Sequence, residues 1–196
     1  MTESTFWSLL EKARNCGATS ACSCCLARCL RQLSDQDISD FGMMLYDKVC
    51  ELNTWQLWGA CRVITGDMSG ESFHNFRTWI VGVGERAFET ARVDPDALGQ
   101  FLDRNQDPID VDNESLEYVA VALLEERGFN ADPRERCSFG ADDKPLGIPF
   151  DLLTLAADYP KLANLRLQHP IRTSESAVDS GLPSIKPMSV PQGHLV

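Results

Sequence analysis

Apolar residues recur every three to four positions along most of this chain, the spacing of one face of an α-helix. In "STFWSLLEKAR", Phe6, Leu9, Leu10 and Ala13 share a face. Ser4 or Thr5 is the expected N-cap, because a short side-chain oxygen accepts from the free N–H groups of a first turn. Gly17 closes that helix, and a second is expected over residues 19–33. A third opens at Ser34, with Asp35 and Asp37 where carboxylates favour the helix dipole, and buries Ile38, Phe41, Leu45, Val49 and Leu52. "TWQLWGACRVIT", "SGESFHNFRTWIVGVG" and "ERAFETARV" carry three more helices. Ser69 or Ser72 caps the second of these, Phe73, Phe76, Ile80 and Val83 form its stripe, and Gly82 and Gly84 close it. "DPDALGQFLD" predicts a helix capped by Asp94 with Pro95 at its first position, where the missing N–H costs nothing. "NESLEYVAVALLEERG" predicts one that Asp112 or Asn113 caps, that buries Leu116, Val119, Ala120, Leu123 and Leu124, and that ends before Gly128.

The periodicity divides the chain. Residues 1–128 read as a helical core, and 129–149, rich in Asp, Pro, Gly and Lys, as a loop. Residues 150–168 read as a helical extension packed on the core and broken before Pro160. Residues 169–196 lose periodicity and read as a disordered tail. No stretch alternates as a strand does, and there is no internal repeat. The predicted fold class is all-α: a single compact multi-helix domain with a disordered C-terminal tail.

Charge narrows the partners. The 196 residues carry a formal net charge of -11. Nucleic-acid binding is driven by Lys and Arg displacing counterions, and an anionic membrane attracts basic segments, so neither is expected. No basic-then-apolar leader and no run of 18 apolar residues is present. The expectation is a cytoplasmic protein whose partner is a protein or a small molecule.

Eight cysteines invite a metal or redox reading, and "CSCCLARC" is the densest stretch. On a helix, Cys22, Cys25 and Cys29 fall on one stripe continued by Leu33, with Leu26 and Leu30 at its edge, and a thiol packs as a small hydrophobe. Cys24 lies off that stripe. A structural zinc site needs a second ligand pair, and none follows. "DRNQDPIDVDNE" places Asp103, Asn105, Asp107 and Glu114 as an EF-hand loop would, but Pro108 stands where that loop requires glycine. No metal, no cofactor and no catalytic residue is predicted.

The most distinctive segment is "TWQLWGACRVITGDMSGESFHNFRTWIVGVG". Trp55, Trp58 and Arg62 share a row, and Arg77 sits one turn from Phe73. A bordering arginine buries its stem and reaches a carboxylate with its fork, here Glu51, Asp67 or Glu71. One reading is a helix pair locked by tryptophans and one salt bridge. The other is a pocket with Trp walls and Arg77 as an anion anchor. Trp55, Trp58, Glu71, His74, Arg77 and Trp79 are the candidate binding residues. The favoured function is a non-catalytic protein- or ligand-binding module. The alternative is an enzyme with a small site at the helix start carrying Glu71, His74 and Arg77, where a histidine base would need an orienting partner.

"FWSLLEKA", the tryptophan segment with its Phe-x-x-Phe-Arg-x-Trp helix, Pro-Asp-x-Leu at Pro95–Leu98, and "ESLEYVAVAL" together resemble the bacterial domain-of-unknown-function family numbered 4240, over roughly residues 2–126. The family typically has two aspartates after the serine, where this chain has Gly70 and Glu71, so a role needing both acids is not implied. It usually has Leu or Ala where the cysteines stand, which implies packing. The resemblance strengthens the helical fold and implies no activity.

Overall fold

Short polar residues start most of the helices. The computed structural model describes residues 1–15, 20–67, 69–102, 111, 113–130, 132–133 and 144–168. Helix α1 (Glu3–Arg14) is capped by Thr2, whose hydroxyl accepts from Thr5 N at 3.2 Å; the cap is thus two residues ahead of Ser4. Ser34 caps α3 (Asp35–Glu51) through Asp37 N, Thr54 caps α4 (Trp55–Thr65) through Leu57 N, and Ser69 caps α5 (Gly70–Val83) through Ser72 N. Helix α4 stops at Gly66, whose φ of 77° suits a residue without a Cβ.

Helix α2 (Ser23–Leu30) is shorter than the predicted span of 19–33, and Cys22 stands at its N-cap position. The reason is tertiary. Ser20 Oγ donates to Trp79 O at 3.3 Å and Ala21 N to Gly82 O at 2.9 Å, so the chain before Cys22 is tied to α5 and cannot coil. Gly82 lies inside α5 instead of closing it, and a Cβ there would meet Ser20 Oγ and Asn113 Nδ2. Gly84 ends the helix. Asn113 spends its amide on Ser20 Oγ and Ala21 O and makes no capping bond. The expected helix after it is consequently split, into a 3-10 turn Glu114–Leu116 and α7 (Tyr118–Glu126).

Helix α6 (Glu85–Val93) leads to a second departure. Pro95 does occupy a first helical position, but Pro95–Gln100 is a 3-10 helix and Asp94 makes no capping bond. The acids serve the far end of the chain. Asp96, buried, accepts from Lys161 N at 3.1 Å and Leu162 N at 2.9 Å, and Asp94 holds Lys161 Nζ at 2.8 Å. Asp96 is therefore a remote cap for α9 (Pro160–Gln168), which follows the short α8 (Leu155–Asp158) and a break at Pro160.

The core forms around α5. Asn75 to Val83 are all buried, together with Phe73, and α1, α3, α4, α6 and the Glu114–Leu116 turn pack against it. A helix buried on nearly every side, with polar Asn75, Arg77 and Thr78 included, lies at the centre, whereas the stripe read from sequence would have left one face wet. Among the described residues the fold is helical, without strands. One isolated bridge pairs Thr54 with Leu146, where Trp55 N donates to Leu146 O and Leu146 N to Asn53 O, each at 2.9 Å. No described helix is long and apolar enough to cross a membrane. Most of the Asp103–Glu114 loop, the residues after Gln168, and Cys16 and Cys137 lie outside the described residues.

Helices α8 and α9 rest on α4 through one tight contact. Tyr159 Oη donates to Gln56 O at 2.6 Å, and a Cβ on Gly59 would stand 2.6 Å from that oxygen and 2.9 Å from the ring. Gly59→Ala is expected to cost about 1–3 kcal/mol, because added volume forces the phenol off its seat. Urea unfolding should register the loss, and Gly59→Ala in a Tyr159→Phe background should cost less, since the phenolic oxygen is the nearest obstacle. Equal costs in the two backgrounds would show that the ring, not the hydroxyl, is the obstruction.

The α2 cysteines pack partly as predicted. Cys25, Leu26 and Leu30 are buried, Cys22, Cys29 and Leu33 are half-buried against the core, and Cys24 is exposed. Cys61, in α4, is fully buried, and burial pushes its thiol from 9.0 up to about 12. In the unfolded chain this thiol ionises first, so the stability it contributes is intact below pH 9 and falls between pH 9 and 12. The slope approaches about 1.4 kcal/mol per pH unit for one proton. Burial raises Tyr159 to about 12 as well, so the losses add above pH 10. Urea midpoints measured from pH 8 to 10.5 should fall less steeply in Cys61→Ala than in the wild type. Parallel curves would refute the assignment.

Candidate functional site

The start of α5 is built by a turn in which each polar group has a local use. Asp67 Oδ1 accepts from Ser69 N at 3.1 Å, and Ser69 Oγ donates to Asp67 Oδ2 at 2.7 Å while accepting from Ser72 N. The serine-led acidic turn is thus a braced N-cap. Glu71, in the first turn, is exposed and complements the dipole.

From that start, α5 sends Phe73, His74, Arg77 and Thr78 toward α3, α4 and α7. Phe73 stacks on Trp58 with centroids 4.8 Å apart and planes 7° apart, and Trp58 stacks on Trp55 at 5.1 Å and 9°. Arg77 Cζ lies 4.7 Å from the Phe73 centroid. Trp58 already covers one face of that ring, so the guanidinium covers the other. The result is a four-layer stack, Trp55–Trp58–Phe73–Arg77, closed at its outer end by the edge of Phe150 at 6.1 Å.

Arg77 is 5% exposed. Its Nη1 donates to Val49 O at 3.2 Å, near the end of α3, and its Nη2 to His74 Nδ1 at 3.3 Å. Its Nε, like Trp58 Nε1, is buried without a partner. Among the described residues no carboxylate bonds the guanidinium, so the expected bridge to Glu51, Asp67 or Glu71 does not form. Burial lowers its pKa, while Cys50 and Glu117 pull the other way. It remains a cation, as arginine does in proteins.

The compensating charge is Glu117, one residue before α7 and 5% exposed. Glu117 Oε1 accepts from His74 Nε2 at 2.8 Å and from Thr78 Oγ1 at 2.6 Å. A guanidinium can only donate, so His74 Nδ1 is the accepting nitrogen and the proton sits on Nε2, facing the carboxylate. His74 therefore links a buried anion to a buried cation, with both ring nitrogens in use. Trp79 turns elsewhere. It is buried against Phe76, with centroids 5.8 Å apart, and belongs to the core on the other side of α5.

Of the six candidate residues, Trp55, Trp58, His74 and Arg77 are gathered into one assembly, and Glu71 and Trp79 are not. Glu117, Thr78 and Phe150 complete it and went unread in the sequence. Glu117 had a signal: it shares a helical face with Ala120 and Leu124, and a carboxylate on a buried stripe needs a partner.

A shallow cavity of about 410 Å³ lies beside the outer end of the stack. Ile148, Phe150 and Tyr159 supply its apolar wall, and Asp151, Thr154 and Asp158 its polar one. Around it Leu146, Ile148, Leu152 and Leu153 are exposed, Ile148 to 88% and Leu153 to 93%.

A central helix buried nearly all round, pinned by a buried Arg–His–Glu chain and a tryptophan stack, defines a class of all-α domain carried largely by residues 1–126. That is also the span matched by the model of the family described as a protein of unknown function, DUF4240, and the chain belongs to that family. No curated protein and no solved structure matches it.

Proposed function

We propose that this chain is a non-catalytic binding module that receives a basic side chain of a protein partner at the outer end of the tryptophan stack. The observation that carries the reading is the joining of aromatic and acidic groups there. Phe150, packed edge-on against Trp55, lines a cavity whose polar wall holds Asp151 and Asp158. A lysine or arginine suits such a place, its stem against the rings and its charge against the carboxylates. The exposed leucines and Ile148 around it supply apolar contact area, and the net charge of -11 attracts a basic partner at long range. In this reading Trp55 and Trp58 back the Phe150 wall, His74 and Arg77 hold the stack in position, and Trp79 anchors α5 in the core. Glu71 adds only to the acidic field.

The enzyme alternative has one observation in its favour, the imidazole oriented by Glu117. Against it, a base needs a free lone pair, and His74 Nδ1 already accepts from Arg77. Titrating the protein with a hexalysine peptide and following tryptophan emission tests the proposal. Saturable quenching is expected, weakened about tenfold in Asp151→Asn/Asp158→Asn and by raised salt, since the pair is solvent-exposed. A hexaglutamate peptide that binds as well, or wild type that fails to respond to hexalysine, would refute the reading.

A further inference from the structure

A second cavity, of about 330 Å³, opens between α1, the corner where α5 passes into α6, and Phe101. It shares no residue with the cavity beside the tryptophan stack. Helix α1 brings Trp7, Glu11 and Arg14 to it, each about one turn from the next. Gly84 turns the corner at a φ of 115° and adds no side chain, and Glu85 and Arg86 follow it into α6. Trp7, Val83 and the half-buried Phe101 supply apolar lining.

Two guanidiniums and two carboxylates therefore line one small space, in a chain whose net charge is -11. Arg14 is fixed there. Its Nη1 donates to Val83 O at 2.7 Å, at the end of α5, and its other N–H groups bond no described residue. The side chains of Glu11, Glu85 and Arg86 bond no described residue either.

This charge pattern selects a ligand. A simple anion would meet the glutamates as well as the arginines, and a simple cation would meet the arginines as well as the glutamates. A molecule with both charges satisfies both kinds of group. We infer that this cavity binds a free apolar α-amino acid, its carboxylate on Arg14 and Arg86, its ammonium on Glu11 and Glu85, and its side chain against Trp7 and Phe101. The planar guanidinium fork matches a carboxylate, and an ammonium has three donors to share between two acids. Ligand pockets start at about 300 Å³, so this one is sized for a single small molecule. Because Glu11, Glu85 and Arg86 are exposed, and exposed ion pairs contribute little, the dissociation constant is expected on the order of 1 mM.

The test titrates the isotope-labelled full chain with L-phenylalanine and follows amide and indole NMR shifts. Saturable shifts are expected at Gly84, Glu85 and the Trp7 indole, and none at the Trp55 indole. Phenylpropionate, which lacks the ammonium, and phenethylamine, which lacks the carboxylate, should each bind about fivefold weaker, the effect of one exposed ion pair. Arg86→Gln should weaken phenylalanine to the same extent and phenethylamine not at all. Glu11→Gln/Glu85→Gln should weaken phenylalanine and leave phenylpropionate no weaker. These side chains are exposed, so both variants should keep the wild-type urea midpoint. Phenylpropionate that binds as tightly as phenylalanine would define an anion site and overturn the inference. So would a wild type without saturable shifts at Gly84 and Trp7, or a phenylalanine affinity that neither variant lowers.

Discussion

Replacing Glu117 by alanine is expected to destabilise the protein by about 3–5 kcal/mol, the cost of stranding a buried charge. Glu117 is the carboxylate that His74 and Thr78 address, at 2.8 and 2.6 Å, and through His74 it faces the Arg77 guanidinium. Without it the arginine remains buried, bonded to a carbonyl and an imidazole and stacked on a ring face, with no carboxylate to balance its charge. The comparison that isolates this mechanism is a cycle with Arg77→Met, which keeps much of the stem and removes the charge. Replacing a buried ion pair by apolar groups is often nearly neutral, so Arg77→Met/Glu117→Ala should be more stable than the sum of the single losses predicts. Urea unfolding at pH 7 supplies all the values. A Glu117→Ala loss below about 1 kcal/mol, or strict additivity in the cycle, would mean that the carboxylate and the guanidinium do not compensate each other.

Phe73→Ala should produce a loss of similar size, about 3–5 kcal/mol, by a different route. The ring is 2% exposed and has both faces covered, one by Trp58 and one by Arg77. Removing it opens a cavity at the middle of the stack and separates its aromatic half from its charged half. Phe73→Leu refills part of the volume without a π face, so it should recover part of the stability and none of the near-ultraviolet circular dichroism that parallel aromatic rings generate. If Phe73→Leu kept that signal, the Trp55–Trp58 pair alone would be its source. If Phe73→Ala cost little, the stack would not be part of the core.

How much of this was readable beforehand differs by element. Ser34 and Ser69 were legible as caps because capping is local: a hydroxyl, three residues, one N–H. Asp94, Asn113 and Ser4 were misread for the complementary reason. Asp94 turns to Lys161 and Asn113 to Ser20 and Ala21, while the better-placed Thr2 takes the cap at α1. Local propensity cannot weigh a bond to a residue tens of positions away. In the site, the row of Trp55 and Trp58 and the closeness of His74 to Arg77 were legible, being one helical turn each. The choice of anion was not. Glu51, Asp67 and Glu71 were nearer in sequence, but Glu51 and Glu71 are exposed and Asp67 braces Ser69, and of these four acids Glu117 is the one that is buried.

The sequence by itself determined that this chain is helical, where most of its turns fall, and which apolar side chains leave water, because periodicity and capping are properties of a few adjacent residues. Only the tertiary structure decided that α5 lies at the centre, that Arg77 meets Glu117 through His74, and that Arg14 and Glu11 share a cavity with Glu85 and Arg86. Those outcomes depend on which helix surfaces exclude water from one another, and on the requirement that a charge enclosed by them find a counter-charge from whichever segment arrives there.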